Sequence, residues 1–198
     1  GYPTLMKSMF QDEGEELVHL MKSVQEAGAA TSLDLAAVDA NSEAGQADWE
    51  KILEKTLPYV DFFVPSIEEL CFMIDREKFD ELQVRAEGGD ITDVLNIEQD
   101  IKPLAKKCME MGCKVLLLKC GAKGMYLQTA EEKVLEKISP KTEISADEWA
   151  GKEIFEKSYV PEKILSGTGA GDTSIAAFLT SMLGGESPEM CLHLAAAT

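Results

Sequence analysis

Three short apolar runs constrain this chain more than any other feature: "TSLDL" (31–35), "VDFFV" (60–64) and "KVLLLK" (114–119). Each is rich in residues that suit an extended backbone, and each is too short to make a helix of ordinary length. The stretches between them carry apolar residues at helical spacing. Buried strands joined through helices are the pattern of a parallel sheet with right-handed crossovers and helices on both faces. The expectation is an α/β fold with a mostly parallel sheet, in one domain spanning 1–198. Ligands of such sheets sit beyond the carboxyl ends of the strands. Asp34, Glu69, Lys119 and the 166–172 loop all fall just after a strand or at a helix start, so they are placed to converge on one rim.

The connecting segments agree. In "DEGEELVHLMKSVQEAG", Asp12 and Glu15 stand at capping-box spacing, and Leu17, Leu20, Met21 and Val24 fall on one face before Gly28. "DWEKILEKTL" has helical spacing, and "SIEELCFMI" opens with Ser66 and Glu69, again at capping-box spacing. Residues 76–96 read as an acidic, exposed, partly helical connection, and "NIEQDIKPLAKKCMEMG" as the next helix. "GMYLQT" reads as the hairpin partner of "KVLLLK", and 129–160 is short, charged and β-leaning. A helix is expected from about Ala170 to Leu183 and another from Pro188.

Charge and cysteine content narrow the function classes. A net charge of −17, with Lys and Arg scattered among acids, disfavours nucleic acid as a partner. No apolar run approaches a membrane span, so no membrane partner is expected. Five cysteines without a C-x-x-C pair suit the reducing cytoplasm better than a disulfide framework or zinc knuckle. The two histidines, His19 and His193, lack a metal-ligand neighbour at helical spacing.

"SGTGAGDTSIAAFL" (166–179) is where chemistry concentrates. A helix start leaves several amides unpaired and carries roughly half a positive charge. Without β-carbons, Gly169 and Gly171 let backbone approach an anion closely. Asp172 then sets a carboxylate beside that anion site, an arrangement suited to phosphoryl transfer with a carboxylate base. The same letters also describe a helix cap with small residues for tight packing, and the residues alone leave both readings open. The spacing is neither the G-x-G-x-x-G of a dinucleotide fold nor a Walker A loop.

With these residues in view, the chain resembles the ribokinase-like (PfkB) family of sugar and nucleoside kinases. "SGTGAGDTSIAAFL" is similar to its D-T-x-G-A-G-D signature, "VDFFVPSIEEL" to its P-N-x-x-E segment, and "LLLKCGAKGMYL" to its strand–G-x-x-G turn. The resemblance covers nearly the whole chain and implies a ribokinase-like, Rossmann-type fold. It implies an ATP-dependent carbohydrate kinase, with a nucleoside kinase or a non-catalytic sugar- or nucleotide-binding regulator as alternatives. By the same resemblance Asp172 is the base, and Gly169, Ala170 and Gly171 are the anion hole. Lys119, Gly121, Gly124 and Thr168 are placed at the nucleotide, and Glu69 at Mg²⁺. Asp34 and Ser66 form a substrate or metal rim. Glu69 also fits the N3 place of a capping box, a role that can coexist with the first; a Lys at a strand end such as Lys119 is more often simply solvated; Asp34 is equally a turn former, and Gly121 and Gly124 equally a hairpin turn.

Two positions depart from the family pattern. Ser166 replaces an acid that helps hold a monovalent cation, so K⁺ dependence does not carry over. Ser66 replaces the usual Asn. The chain starts at "GYPTLMK" and stops in "CLHLAAAT", so a piece of a longer protein is expected, lacking the sugar-binding and lid part through which members often form homodimers. Which sugar is used is not written in these residues.

Overall fold

The computed structural model describes residues 2–159 and 167–198. Five strands form one sheet in the order β1-β2-β3-β4-β5: Ser32–Leu33, Phe62–Phe63, Val115–Lys119, Met125–Thr129 and Glu153–Glu156. The β1–β2 and β2–β3 pairs are parallel, and the β3–β4 and β4–β5 pairs antiparallel. The sheet is thus mixed, with its parallel half built from the three apolar runs and its antiparallel half starting at the "GMYLQT" hairpin. Ten helices accompany it among the described residues: α1 Lys7–Phe10, α2 Glu15–Glu26, α3 Trp49–Thr56, α4 Ile67–Ile74, α5 Arg76–Ala86, α6 Lys102–Glu110, α7 Glu132–Leu135, α8 Ala146–Trp149, α9 Ala170–Leu183 and α10 Pro188–Ala196.

Strand alternation divides the core in two. Phe63, Leu116, Leu118 and Tyr126 pack with residues of α2, α3, α4, α5 and α6 on one face. Phe62, Val64, Val115, Leu117, Met125 and Leu127 pack with Phe178 and Met182 of α9 and Cys191, Leu192 and Ala195 of α10 on the other. Successive side chains of a strand point to opposite faces, so a run such as "VLLL" must be apolar at every position when both faces are covered. Fully burying each such side chain contributes about 1.5–3 kcal/mol.

Local departures have local causes. The Asp12–Glu15 capping box does not form. Asp12 and Glu13 adopt left-handed backbone, and Gly14 at φ +77° precedes α2. The Glu13 carboxylate is taken by Lys51 and Lys55 of α3. A β-carbon on Gly14 would come within 2.7 Å of Ile52, so only glycine allows this approach. Residues 76–96 are more ordered than a connection: Leu82, Ile91 and Leu95 are buried. The Arg85 guanidinium and Lys78 ammonium meet the Asp100 carboxylate at 2.9 and 3.3 Å, which pins this segment to the start of α6. Past the end of β4, residues 130–159 hold helical turns, and β5 is their single strand.

Each strand of the parallel half is preceded by a polar residue, and the three are bonded together. The Lys114 ammonium donates to Asp61 Oδ1 at 3.0 Å and to the carbonyls of Pro58 and Val60 at 3.2 Å. Asp61 Oδ2 accepts the Thr31 amide at 3.1 Å, and Thr31 Oγ1 accepts the Asp61 amide at 2.8 Å. Lys114 and Asp61 are both fully buried, so removing one strands the other's charge, which typically costs about 3–5 kcal/mol. Lys114→Met is therefore expected to lower the unfolding free energy by that amount, read as a lower urea midpoint at an unchanged slope. The double variant Asp61→Asn/Lys114→Met should lose less than Lys114→Met alone.

Candidate active site

The carboxyl ends of β1 and β3, the first turn of α4 and the start of α9 border one open pocket of about 240 Å³. Its lining includes Asp34, Glu69, Lys119, Gly169, Gly171 and Asp172, together with Tyr2. Asp34 follows β1 directly, and Lys119 closes β3. The Lys119 amide donates to the Pro65 carbonyl at 3.0 Å, which extends the β2–β3 ladder by one bond and sets Ser66 beside Lys119. Ser66 caps α4: its Oγ accepts the Glu69 amide at 3.3 Å, and Glu69 Oε2 accepts the Ser66 amide at 3.2 Å. The capping box read from the sequence is real, and it fixes where the Glu69 carboxylate enters the pocket.

Lys119 and Asp34, placed separately on the rim by sequence, are an ion pair. The ammonium donates to both carboxylate oxygens, at 3.1 and 3.0 Å. Burial pushes the Asp34 carboxyl above its ordinary value. The Lys119 charge, its hydrogen bond and the Leu35 amide pull it down without cancelling that effect, and Glu69 pushes it slightly up. A β-carbon at Gly171 would lie 3.5 Å from Lys119 Nζ, so the ammonium stands beside the first turn of α9.

Gly169, at φ +82°, precedes α9 in left-handed backbone, and its carbonyl accepts the Thr173 amide and hydroxyl at 2.9 and 2.8 Å. The Ala170 amide donates to the Gly167 carbonyl at 3.2 Å. Thr168, Gly169, Ala170 and Asp172 are exposed. Sequence reading missed Tyr2. Its hydroxyl donates to Asp172 Oδ1. That bond first, then desolvation and the charges of Asp172, Asp34 and Glu69, lifts the phenol to about 12. A second polar pocket of about 330 Å³, lined in part by Ser32, Val64, Ile175 and Leu179, adjoins at Tyr2, Asp34 and Asp172.

Not every candidate residue reaches this pocket. Ser66 lines a neighbouring one of about 170 Å³ that shares Glu69. Gly121 and Gly124 are held by packing instead. Added β-carbons would come within 2.6 Å of Thr92 Oγ1 and 2.0 Å of the Glu156 carbonyl oxygen, at φ +56° and +135°. Ser166, the position bearing on a monovalent cation, lies outside the described residues. Among the described residues no three His, Cys, Asp or Glu side chains converge as a metal cage. The residues nonetheless fit Mg²⁺, which takes one or two carboxylates and completes its shell with waters and substrate phosphates. Glu69 is such a carboxylate in the pocket; Asp34 is already paired with Lys119.

The sequence profile described as "pfkB family carbohydrate kinase" matches residues 9–198, and the chain belongs to that family. A ribokinase of Arabidopsis thaliana is 33% identical over 100 residues, which are 50% of this chain and 21% of that protein. The structure of Arabidopsis thaliana ribokinase complexed with ribose and ATP superposes with a TM-score of 0.58 at 24% identity, covering 91% of this chain and 43% of that one. A PfkB protein from Polaromonas sp. gives 0.59 at 16% identity, covering 98% and 48%. These likenesses establish the ribokinase-like fold, and this chain spans less than half the length of each relative.

Two glycine substitutions separate packing from site geometry. Gly124→Ala must displace the β5 backbone and should destabilise by more than about 3 kcal/mol in urea unfolding. Gly169→Ala meets open space and should cost only the left-handed penalty, about 1–2 kcal/mol.

Proposed function

We propose, with membership of the pfkB family of carbohydrate kinases as the premise, that this chain carries the phosphoryl-transfer site of an ATP-dependent sugar kinase. What supports the reading most is the single pocket where Asp172, the Gly169–Gly171 backbone, Lys119 and Glu69 meet. An acceptor hydroxyl attacks the γ-phosphorus of ATP, the bond from that phosphorus to the ADP oxygen breaks, and the hydroxyl proton passes to Asp172. Amides of the first turn of α9, bared by Gly169 and Gly171, stabilise charge on the transferring group. Lys119 supplies a positive charge beside that turn, and Glu69 is the carboxylate that would hold Mg²⁺. When bound, Mg²⁺ neutralises charge that gathers on the phosphate oxygens. The nucleotide role of Thr168, Gly121 and Gly124 rests on the family resemblance, since none of the three lines this pocket.

A net charge of −17 does not conflict with an anionic substrate. Lys119 and the α9 amides act at contact distance, where a global field is largely screened. Sugar and nucleoside acceptors both present a primary hydroxyl, so an acceptor panel separates those two readings.

The test is turnover by the whole gene product with Mg·ATP, sugars and nucleosides. General-base assistance is typically worth about 10²–10⁴-fold. Asp172→Asn is expected to lose that factor in kcat and to keep Mg·ATP binding. An unchanged kcat in this variant removes the base assignment. Turnover with nucleosides and not with sugars shifts the acceptor class and leaves the site assignment intact.

A further inference from the structure

We infer that Tyr2 is a positioning residue for Asp172: its hydroxyl holds one carboxylate oxygen, so that the other is presented to the acceptor. The inference rests on the phosphoryl-transfer reading above, and it goes beyond that reading because neither the sequence pattern nor the base assignment calls for a partner on Asp172.

Asp172 is exposed in the first turn of α9. A carboxylate so placed samples several rotamers, and only some direct an oxygen at an incoming hydroxyl. The hydrogen bond seen on this carboxylate among the described residues comes from the Tyr2 hydroxyl to Oδ1. Tyr2 is exposed, but its backbone and ring are bordered by ordered structure. It precedes a helical turn at Pro3–Leu5 in which Pro3 and Thr4 are buried, and it borders an apolar groove with Met6, Met9, Leu17 and Leu33. Its other side faces both polar pockets that meet at Asp172. A tyrosine is stiff, with two side-chain torsions, so holding its hydroxyl on Asp172 carries little entropic cost. The tie spans 170 residues and joins the start of the chain to the base.

The chemistry suits a donor at this place. The phenol, lifted to about 12, keeps its proton across the neutral range and donates throughout. The other charged groups around the pair are Asp34 at the end of β1, Glu69 in α4 and Lys119 at the end of β3. None of them is altered when Tyr2 becomes phenylalanine.

The experiment compares Tyr2→Phe with the parent in the whole gene product, with Asp172→Asn beside it, using Mg·ATP and the acceptor found above. Tyr2→Phe keeps the ring and its apolar contacts. Hydrogen bonds to charged groups fall at the strong end of the range, and the expected result is a roughly tenfold fall in kcat. The KM for ATP and the melting temperature should stay at the parent values. Parent kcat in Tyr2→Phe, with Asp172→Asn inactive, overturns the role of Tyr2 and leaves the base in place. A fall in Mg·ATP binding that parallels the fall in kcat also overturns it, since the residue then serves only structure. Full activity in Asp172→Asn removes the base itself, and with it the premise.

Discussion

The buried knot of Lys114, Asp61 and Thr31 is the interaction on which the rest of the arrangement depends. Each of these residues stands immediately before a strand of the parallel half, and their mutual bonds tie the three strand starts together. With the starts fixed, Ser32, Phe62 and Val115 fall in register across β1, β2 and β3. A one-residue slip would turn every side chain of a strand to the other face. It would carry Phe62 and Val115 out of one core and into the other. It would also separate Asp34, Ser66 and Lys119, which the same register brings side by side at the opposite ends. The ion pair is therefore better read as a device for register than as a source of net stability, since desolvation offsets much of its attraction.

From that register the site follows with few additional elements. Strand ends deliver Asp34, the α4 cap and Lys119 to one rim, and α9 lays its first turn across it. Each site group is positioned by a bond that also serves the fold. Glu69 is half of a capping box, Lys119 continues a ladder, and Asp34 takes the Leu35 amide at 2.9 Å. Sharing of this kind limits the freedom of each charged group without a dedicated scaffold.

Legibility tracked sequence distance. "VDFFV" and "KVLLLK" were readable as buried strands because two covered faces demand unbroken apolar runs. The Ser66–Glu69 cap was readable because both partners lie three residues apart. The same pattern at Asp12–Glu15 misled, because Lys51 and Lys55 claim the Glu13 carboxylate and the Gly14–Ile52 contact sets the start of α2. Helical order in 76–96 was under-read because its anchor, Asp100, lies outside the segment. At the site, the rim positions were legible from strand and helix ends, together with the family resemblance. The pairings were not. Lys119 and Asp34 are 85 residues apart, and Tyr2 and Asp172 are 170 apart, so no local spacing announces either bond. Gly121 and Gly124 were assigned to the nucleotide, and their lack of side chains also has a packing cause in Thr92 and Glu156.

The proposed kinase site requires the start of α9 to receive the terminal phosphate of the nucleotide. Amide chemical shifts of the ¹⁵N-labelled whole protein, titrated with a non-hydrolysable ATP analogue and separately with ADP, both with Mg²⁺, report on that directly. The amides of Gly169, Ala170 and Gly171 should move with the triphosphate and much less with the diphosphate. Shifts of equal size with both nucleotides, or shifts that leave these three amides unmoved, would contradict it.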